Sequence, residues 1–146
     1  MPTPAALLPL RHLALSLLLL RLGIAIVMGI WAADKFVNPG HGQAVLEHFY
    51  GMGDSGVTVV TLIGLAQVVI VTLFTVGLFR TWSYGAVLLM HGVTTLASWK
   101  QYLDAFDNLL FFAAWPMLAA CITLFLLQKY DTILNADAMR TVVRPS

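Results

Sequence analysis

Four long apolar stretches, at 10–36, 57–79, 82–99 and 108–127, take up most of this 146-residue chain. A helix needs roughly 20 apolar residues to cross a hydrocarbon layer about 30 Å thick, and four such stretches with short connections leave no room for a separate soluble domain. With 60% of residues hydrophobic and 10% charged, and a mean hydropathy of +0.86, the composition excludes an ordinary soluble domain. The fold class expected is all-α, an integral membrane four-helix bundle whose short loops require antiparallel neighbours.

Around this frame, 1–9 form an N-terminal tail, 10–128 the transmembrane domain and 129–146 a polar tail. Asn38-Pro39-Gly40 ends the first helix with turn chemistry and opens an outer loop over 37–56. Within that loop 43–50 fits a short interfacial helix, broken by Gly51, Gly53 and Gly56, and Arg80-Thr81 makes a tight turn between the second and third helices. The first apolar stretch is too long for a secretory leader and holds Arg21 near its middle, so it reads as an uncleaved helix. Basic residues in short flanks favour the cytoplasmic side. Arg11, Arg80, Lys129, Arg140 and Arg144 stand on the side of the termini, against Lys35 and Lys100 opposite, which puts both termini in the cytoplasm. In a bacterium this is the inner (plasma) membrane, with Asp34, His41, Glu47, His48, Asp54, Asp104 and Asp107 forming an acidic rim toward the periplasm.

Several function classes fall away. The eight Lys and Arg residues are scattered and the net charge is +1, so nothing points to nucleic acid. The single cysteine, Cys121, rules out an intrachain disulfide or a Cys-x-x-Cys centre. His41 and His48 match no metal-ligand spacing, giving no metal site, and a lone intramembrane His91 offers no haem pair.

The chemistry concentrates on polar residues inside the apolar stretches. Arg21, Gln67 and His91 each stand close to the middle of a helix, and a charged or ionisable group there usually faces a bundle interior, a cavity or a partner. Arg21, Met28 and Lys35, seven apart, share one helix face, and Ala25, Gly29 and Ala33 form a small-residue row for close helix packing. Arg21 has two readings: a structural arginine held by backbone carbonyls or Gln67, or a binder of an anionic or carbonyl group. Tyr84, His91 and Ser98, with Thr94 and Thr95 beside them, make a polar stripe on the third helix. It reads either as ordinary backbone satisfaction or as a wet path with His91 as proton carrier. Gln67 is either an interhelical hydrogen bond or the group that orients a carbonyl. In the fourth helix Pro116 introduces a kink, and Asn108 and Trp115, seven apart, line an upper cavity. Together Arg21, Lys35, Gln67, His91, Ser98, Asn108 and Trp115 are the candidate ligand-binding residues, with His91 and Arg21 as the candidate catalytic pair.

These residues resemble the DoxX-like family of small four-helix membrane proteins. The resemblance covers about 20–127 and rests on Leu20-Arg21-Leu22-Gly23, Gly29, Lys35 with Asn38-Pro39-Gly40, Gly64 with Leu65-Ala66-Gln67, Gly77-Leu78-Phe79-Arg80, and Asp107-Asn108. It implies a redox-associated role, and from it comes the expectation of a quinone or another small hydrophobic ligand held between the helices. Gln67 stands where the family commonly carries Glu, which removes an ionisable carboxylate. No cofactor motif is present, so electron transfer requires a membrane or redox protein partner. The alternative is a non-catalytic accessory or assembly subunit of a membrane complex.

Overall fold

The computed structural model describes residues 4–143, with side chains over 9–140; the extreme ends, including Arg144 of the basic flank, lie outside the described residues. Every regular element in that range is helical. In chain order they are α1 (Pro4–Val37), α2 (Pro39–Tyr50), α3 (Val57–Val76), α4 (Arg80–Ala97), α5 (Trp99–Leu103), α6 (Ala114–Leu126) and α7 (Ala136–Val143), with short 3-10 helices at Leu109–Ala113 and Gln128–Tyr130. Among the described residues, three segments are long and apolar enough to cross a membrane: Pro9–Val37, Val57–Val76 and Leu109–Leu126.

Boundaries follow local chemistry. α1 begins at Pro4, ahead of the expected start at residue 10, and carries Pro9 within its second turn. α2 is longer than the expected 43–50 because Pro39 occupies its first turn, where a missing N–H costs no intrahelical bond. α3 stops at Val76 rather than at residue 79. Gly77 turns left-handed at φ 68°, its N–H bonds Phe74 O at 3.1 Å, and Leu78 N–H reaches back to Leu73 O at 2.9 Å. The tight turn is therefore 77–79, and Arg80-Thr81 opens α4 instead. The fourth apolar stretch is not one continuous helix. It starts as a 3-10 helix and becomes α-helical at Ala114, so Pro116 falls in the first turn of α6, where proline is tolerated, and not at a mid-helix kink.

α1 packs on α3 and α6, α3 on α4, and α4 on α6. Leu17, Ile24, Met28, Val71, Phe74, Tyr84, Val87, Cys121 and Leu124 form the buried apolar core, with the Phe74 and Tyr84 rings edge to face at 4.9 Å. Leu19, Ile26, Ile30, Leu62, Leu65, Val69, Leu89 and Leu96 point outward, so the aliphatic surface lies outside and most of the deeply buried polar residues inside. The close approach of α1 and α3 is made by Gly64, where an added methyl would meet Phe36 Cζ at 2.9 Å and Lys35 Cβ at 3.1 Å. The expected row Ala25, Gly29, Ala33 is not that contact: nothing lies within 4 Å of a Cβ built on Gly29, and Ala33 is exposed.

The segment after α6, expected as a polar tail, folds back beneath the helices. Asp137 N–H bonds Gly77 O at 3.1 Å and the Asp137 carboxylate accepts from Arg80 N–H at 2.9 Å, so the tail braces the α3–α4 turn. A Cβ on Gly77 would collide with the Asn135 amide and the Arg21 guanidinium. Gly77→Ala should destabilise the protein by about 1–3 kcal/mol, the usual strain of a left-handed non-glycine residue, before the collision is counted. Gly29→Ala should instead gain about 0.5–1 kcal/mol from helix propensity. Thermal unfolding of both variants in mild detergent checks the contrast, and equal midpoints would remove it.

Candidate functional site

The buried polar residues separate into two layers. The lower layer is built around Arg21, which is fully buried. Its Nη2 donates to Ile133 O at 2.8 Å and Leu134 O at 2.9 Å, and its Nη1 lies 3.3 Å from Asp131 Oδ2 and 3.2 Å from the Tyr84 hydroxyl. Tyr84 donates to Asp131 Oδ2 at 2.6 Å and accepts from Asn135 Nδ2 at 3.2 Å, so its oxygen is saturated. Asn135 Oδ1 in turn accepts from Ala138 N–H at 3.1 Å and caps α7. Asp131 and Asn135 are fully buried as well.

Arg21 is thus level with the α3–α4 turn rather than with Gln67 and His91. The expectation of one shared level fails because α1 is much longer than its neighbours: the middle of its 34 residues sits where α3 ends after 20. Of the two readings of Arg21, the geometry realises backbone carbonyls joined by a carboxylate, a phenol and the tail. Asp131 and Asn135 escaped the sequence reading because they lie in a hydrophilic stretch that gives no sign of burial.

The upper layer is built around two adjoining cavities. The larger, about 650 Å³, lies between α1, α4 and the 3-10/α6 segment. Its wall includes Gly23, Ile24, Val27 and Trp31 of α1, His91, Thr94 and Thr95 of α4 with Ser98 at its C-terminal cap, and Phe111, Ala114, Pro116 and Met117. Leu19 and Leu110, also on its wall, are 62% and 90% exposed, so the cavity opens sideways between α1 and the fourth stretch. His91 is 1% exposed; its Nε2 donates to Ala114 O at 3.0 Å, while its Nδ1 is buried without a hydrogen-bond partner. The Trp31 ring lies 6.0 Å from the imidazole.

The second cavity, about 510 Å³, lies between α1, α2, α3 and α4 and shares Trp31 and Thr94 with the first. Lys35 and Gln67 line it. Gln67 Nε2 donates to Met28 O at 3.2 Å, the interhelical bond of the plainer reading, and Lys35 Nζ donates to Trp31 O at 3.0 Å. Asp34, His41 and Tyr50 form its polar mouth, with Asp34 bonded to His41.

The candidate residues therefore divide. His91 and Ser98 share the first cavity, Lys35 and Gln67 the second, and Arg21 lies below both. Asn108 and Trp115 are on neither wall. Asn108 donates to Asp104 O at 2.9 Å, and Trp115 packs its half-exposed ring on Tyr102 at 5.4 Å. The 3-10 start of the fourth stretch breaks the seven-residue register on which their pairing depended. Trp31 and Gly23 were missed; nothing in one sequence separates a tryptophan on a cavity wall from a membrane anchor. Comparisons with protein-family models, with curated proteins and with solved structures return no match to this chain.

Unpairing a buried ion is costly, about 3–5 kcal/mol, whereas replacing both partners with apolar groups is often near neutral. Asp131→Ala should lower stability on that scale and make the segment after α6 sensitive to limited proteolysis, with Arg21→Met/Asp131→Leu recovering much of the loss. A single variant within about 0.5 kcal/mol of wild type, the range of ordinary surface changes, would show that the pair does not hold the tail.

Proposed function

We propose that this chain is an integral membrane protein of DoxX-like organisation that binds a flat, hydrophobic ring compound of the quinone class in the cavity beside His91. The carrying observation is that cavity itself: about 650 Å³, within the range of small-molecule sites, nearly all apolar, and with one buried imidazole on its wall. Trp31, Phe111, Pro116 and Met117 supply flat or adaptable apolar surface for a ring, and the sideways opening at Leu19 and Leu110 gives a route from the lipid.

In this reading α1, α3, α4 and the 109–126 segment cross the membrane as an antiparallel four-helix bundle. α4 carries the polar face of the bundle and is bounded by Trp82 and Trp99, 80% and 56% exposed. Seventeen residues at 1.5 Å separate them by about 26 Å, close to the hydrocarbon thickness, as interfacial tryptophans require. The basic flank Arg11, Arg80, Lys129 and Arg140 puts the termini on the cytoplasmic side, in a bacterium's inner membrane. Arg21 has both terminal nitrogens committed to the tail and Tyr84, which leaves the ligand chemistry to His91 and makes Arg21 a structural residue. A redox role then places the electron partner in another protein, since this chain brings no cofactor motif.

Gly23 offers a clean test, because nothing lies within 4 Å of its Cβ position and it lines the cavity. Gly23→Phe should fill the space without disturbing the fold. Mass spectrometry of organic extracts from protein purified in mild detergent should find a quinone or isoprenoid ring compound near one per chain in wild type and strongly depleted in Gly23→Phe. Bulk lipid alone, equal in both, would sink the reading and favour the accessory-subunit alternative.

A further inference from the structure

On its α4 side the larger cavity presents acceptors rather than donors, and the indole N–H of Trp31 on the α1 side is a donor on the same wall. His91 Nε2 faces the Ala114 carbonyl at 3.0 Å, and a carbonyl oxygen can only accept, so the imidazole proton sits on Nε2. In the neutral ring this leaves Nδ1 as a bare lone pair, buried and without a donor. The three hydroxyls on the same wall have spent their protons on carbonyls of their own helix: Thr94 on Met90 O at 3.0 Å, Thr95 on His91 O at 2.8 Å and Ser98 on Thr94 O at 3.1 Å. Thr95 Oγ1 also stands 3.4 Å from Nε2, on the far side of the ring from the unpartnered atom. Thr94 Oγ1 also accepts from the Tyr50 hydroxyl at 3.3 Å, so the acceptors this wall keeps open are Nδ1 and the oxygens of Thr95 and Ser98.

We infer that the cavity selects ligands carrying a hydroxyl donor, the quinol form of a quinone or a phenol of the same shape, over the oxidised carbonyl form. This rests on the ligand-binding reading above and deepens it by naming the hydrogen-bonding class of the ligand. Against the α4 wall a carbonyl-only ring brings acceptors to acceptors: it leaves Nδ1 unsatisfied and strips water from the oxygen facing that wall without return. A ring hydroxyl donates to Nδ1 and satisfies both. Nδ1 is closed off from solvent, so the hydroxyl reaches it with a small turn of the imidazole or of the neighbouring Trp31 ring. Selectivity of this kind comes from an unmatched polar group rather than from shape, since quinol and quinone differ little in size.

The test is anaerobic binding of a decyl-chain benzoquinol, the matching benzoquinone and the dimethyl ether of that quinol to the full chain in lipid nanodiscs, with Gly23→Phe discs as the background. The quinol should bind about 10-fold tighter than the quinone, on the scale of one net hydrogen bond, with the ether resembling the quinone despite its quinol-like body. His91→Phe, which keeps a flat ring and removes Nδ1, should bind all three alike. Quinone binding as tight as quinol, or tighter, above the Gly23→Phe background would overturn the donor preference while leaving the cavity as a ring site. No binding of any of the three above that background would overturn both. The wild-type ratio decides the matter even if His91→Phe fails to fold.

Discussion

The ion pair between Arg21 and Asp131 is the interaction on which the rest of this architecture depends. Two fully buried charges are tolerable only when most of their remaining hydrogen-bonding capacity is used, and here Tyr84, itself held by Asn135, and the carbonyls of Ile133 and Leu134 supply the bonds. The knot ties α1, α4 and the returning tail together at one level. Because Gly77 leaves room for it, it also sits under the α3–α4 turn, where Asp137 bonds the Gly77 carbonyl and the Arg80 amide. Arg80 Nη1 adds a bond to Gln128 O at 2.8 Å. One end of the molecule is thereby closed by polar contacts, fully buried at Arg21 and Asp131 and partly exposed at Arg80 and Asp137.

That closure bears on the other end. The apolar core from Leu17 to Leu124 fills the space next to the knot, while farther along α1 the helices stand apart and enclose two cavities. A tightly bonded end lets the opposite end keep open space and an unsatisfied imidazole nitrogen without loss of fold. Arg21 Nε and Asp131 Oδ1 near the tail are unpartnered as His91 Nδ1 is, but they lie within the ion pair, whereas His91 belongs to the wall of the larger cavity.

Much of this was legible in the sequence. The apolar stretches located the long helices, closely for α3 and α4, though α1 starts earlier and the fourth stretch is broken; the seven-residue rows Arg21, Met28, Lys35 and Tyr84, His91, Ser98 do mark inward faces, with all but the half-buried Lys35 nearly inaccessible. What could not be read depends on lengths and registers set by tertiary contact. Arg21 looked central because depth was counted along α1 alone, and the tail looked solvated because Asp131 and Asn135 are hydrophilic residues in a hydrophilic stretch. The pairing of Asn108 with Trp115 assumed an unbroken helix, which the 3-10 segment Leu109–Ala113 replaces. The DoxX-like resemblance rests on short motifs, several of which now have a local physical cause: Gly64 permits the α1–α3 approach, Gly77 the left-handed turn, and Asn38-Pro39 the start of α2.

The central claim is that the space beside His91 is a ligand site and not a packing fault open to lipid. The most direct measurement is photolabelling in nanodiscs with an apolar phenol carrying a diazirine, followed by peptide mapping, with and without excess unlabelled phenol. The account predicts adducts concentrated on Val27, Trp31 and Met117 that the competitor suppresses. Labelling spread evenly over the outward residues Ile26, Ile30, Leu62 and Val69, and indifferent to competitor, would contradict it.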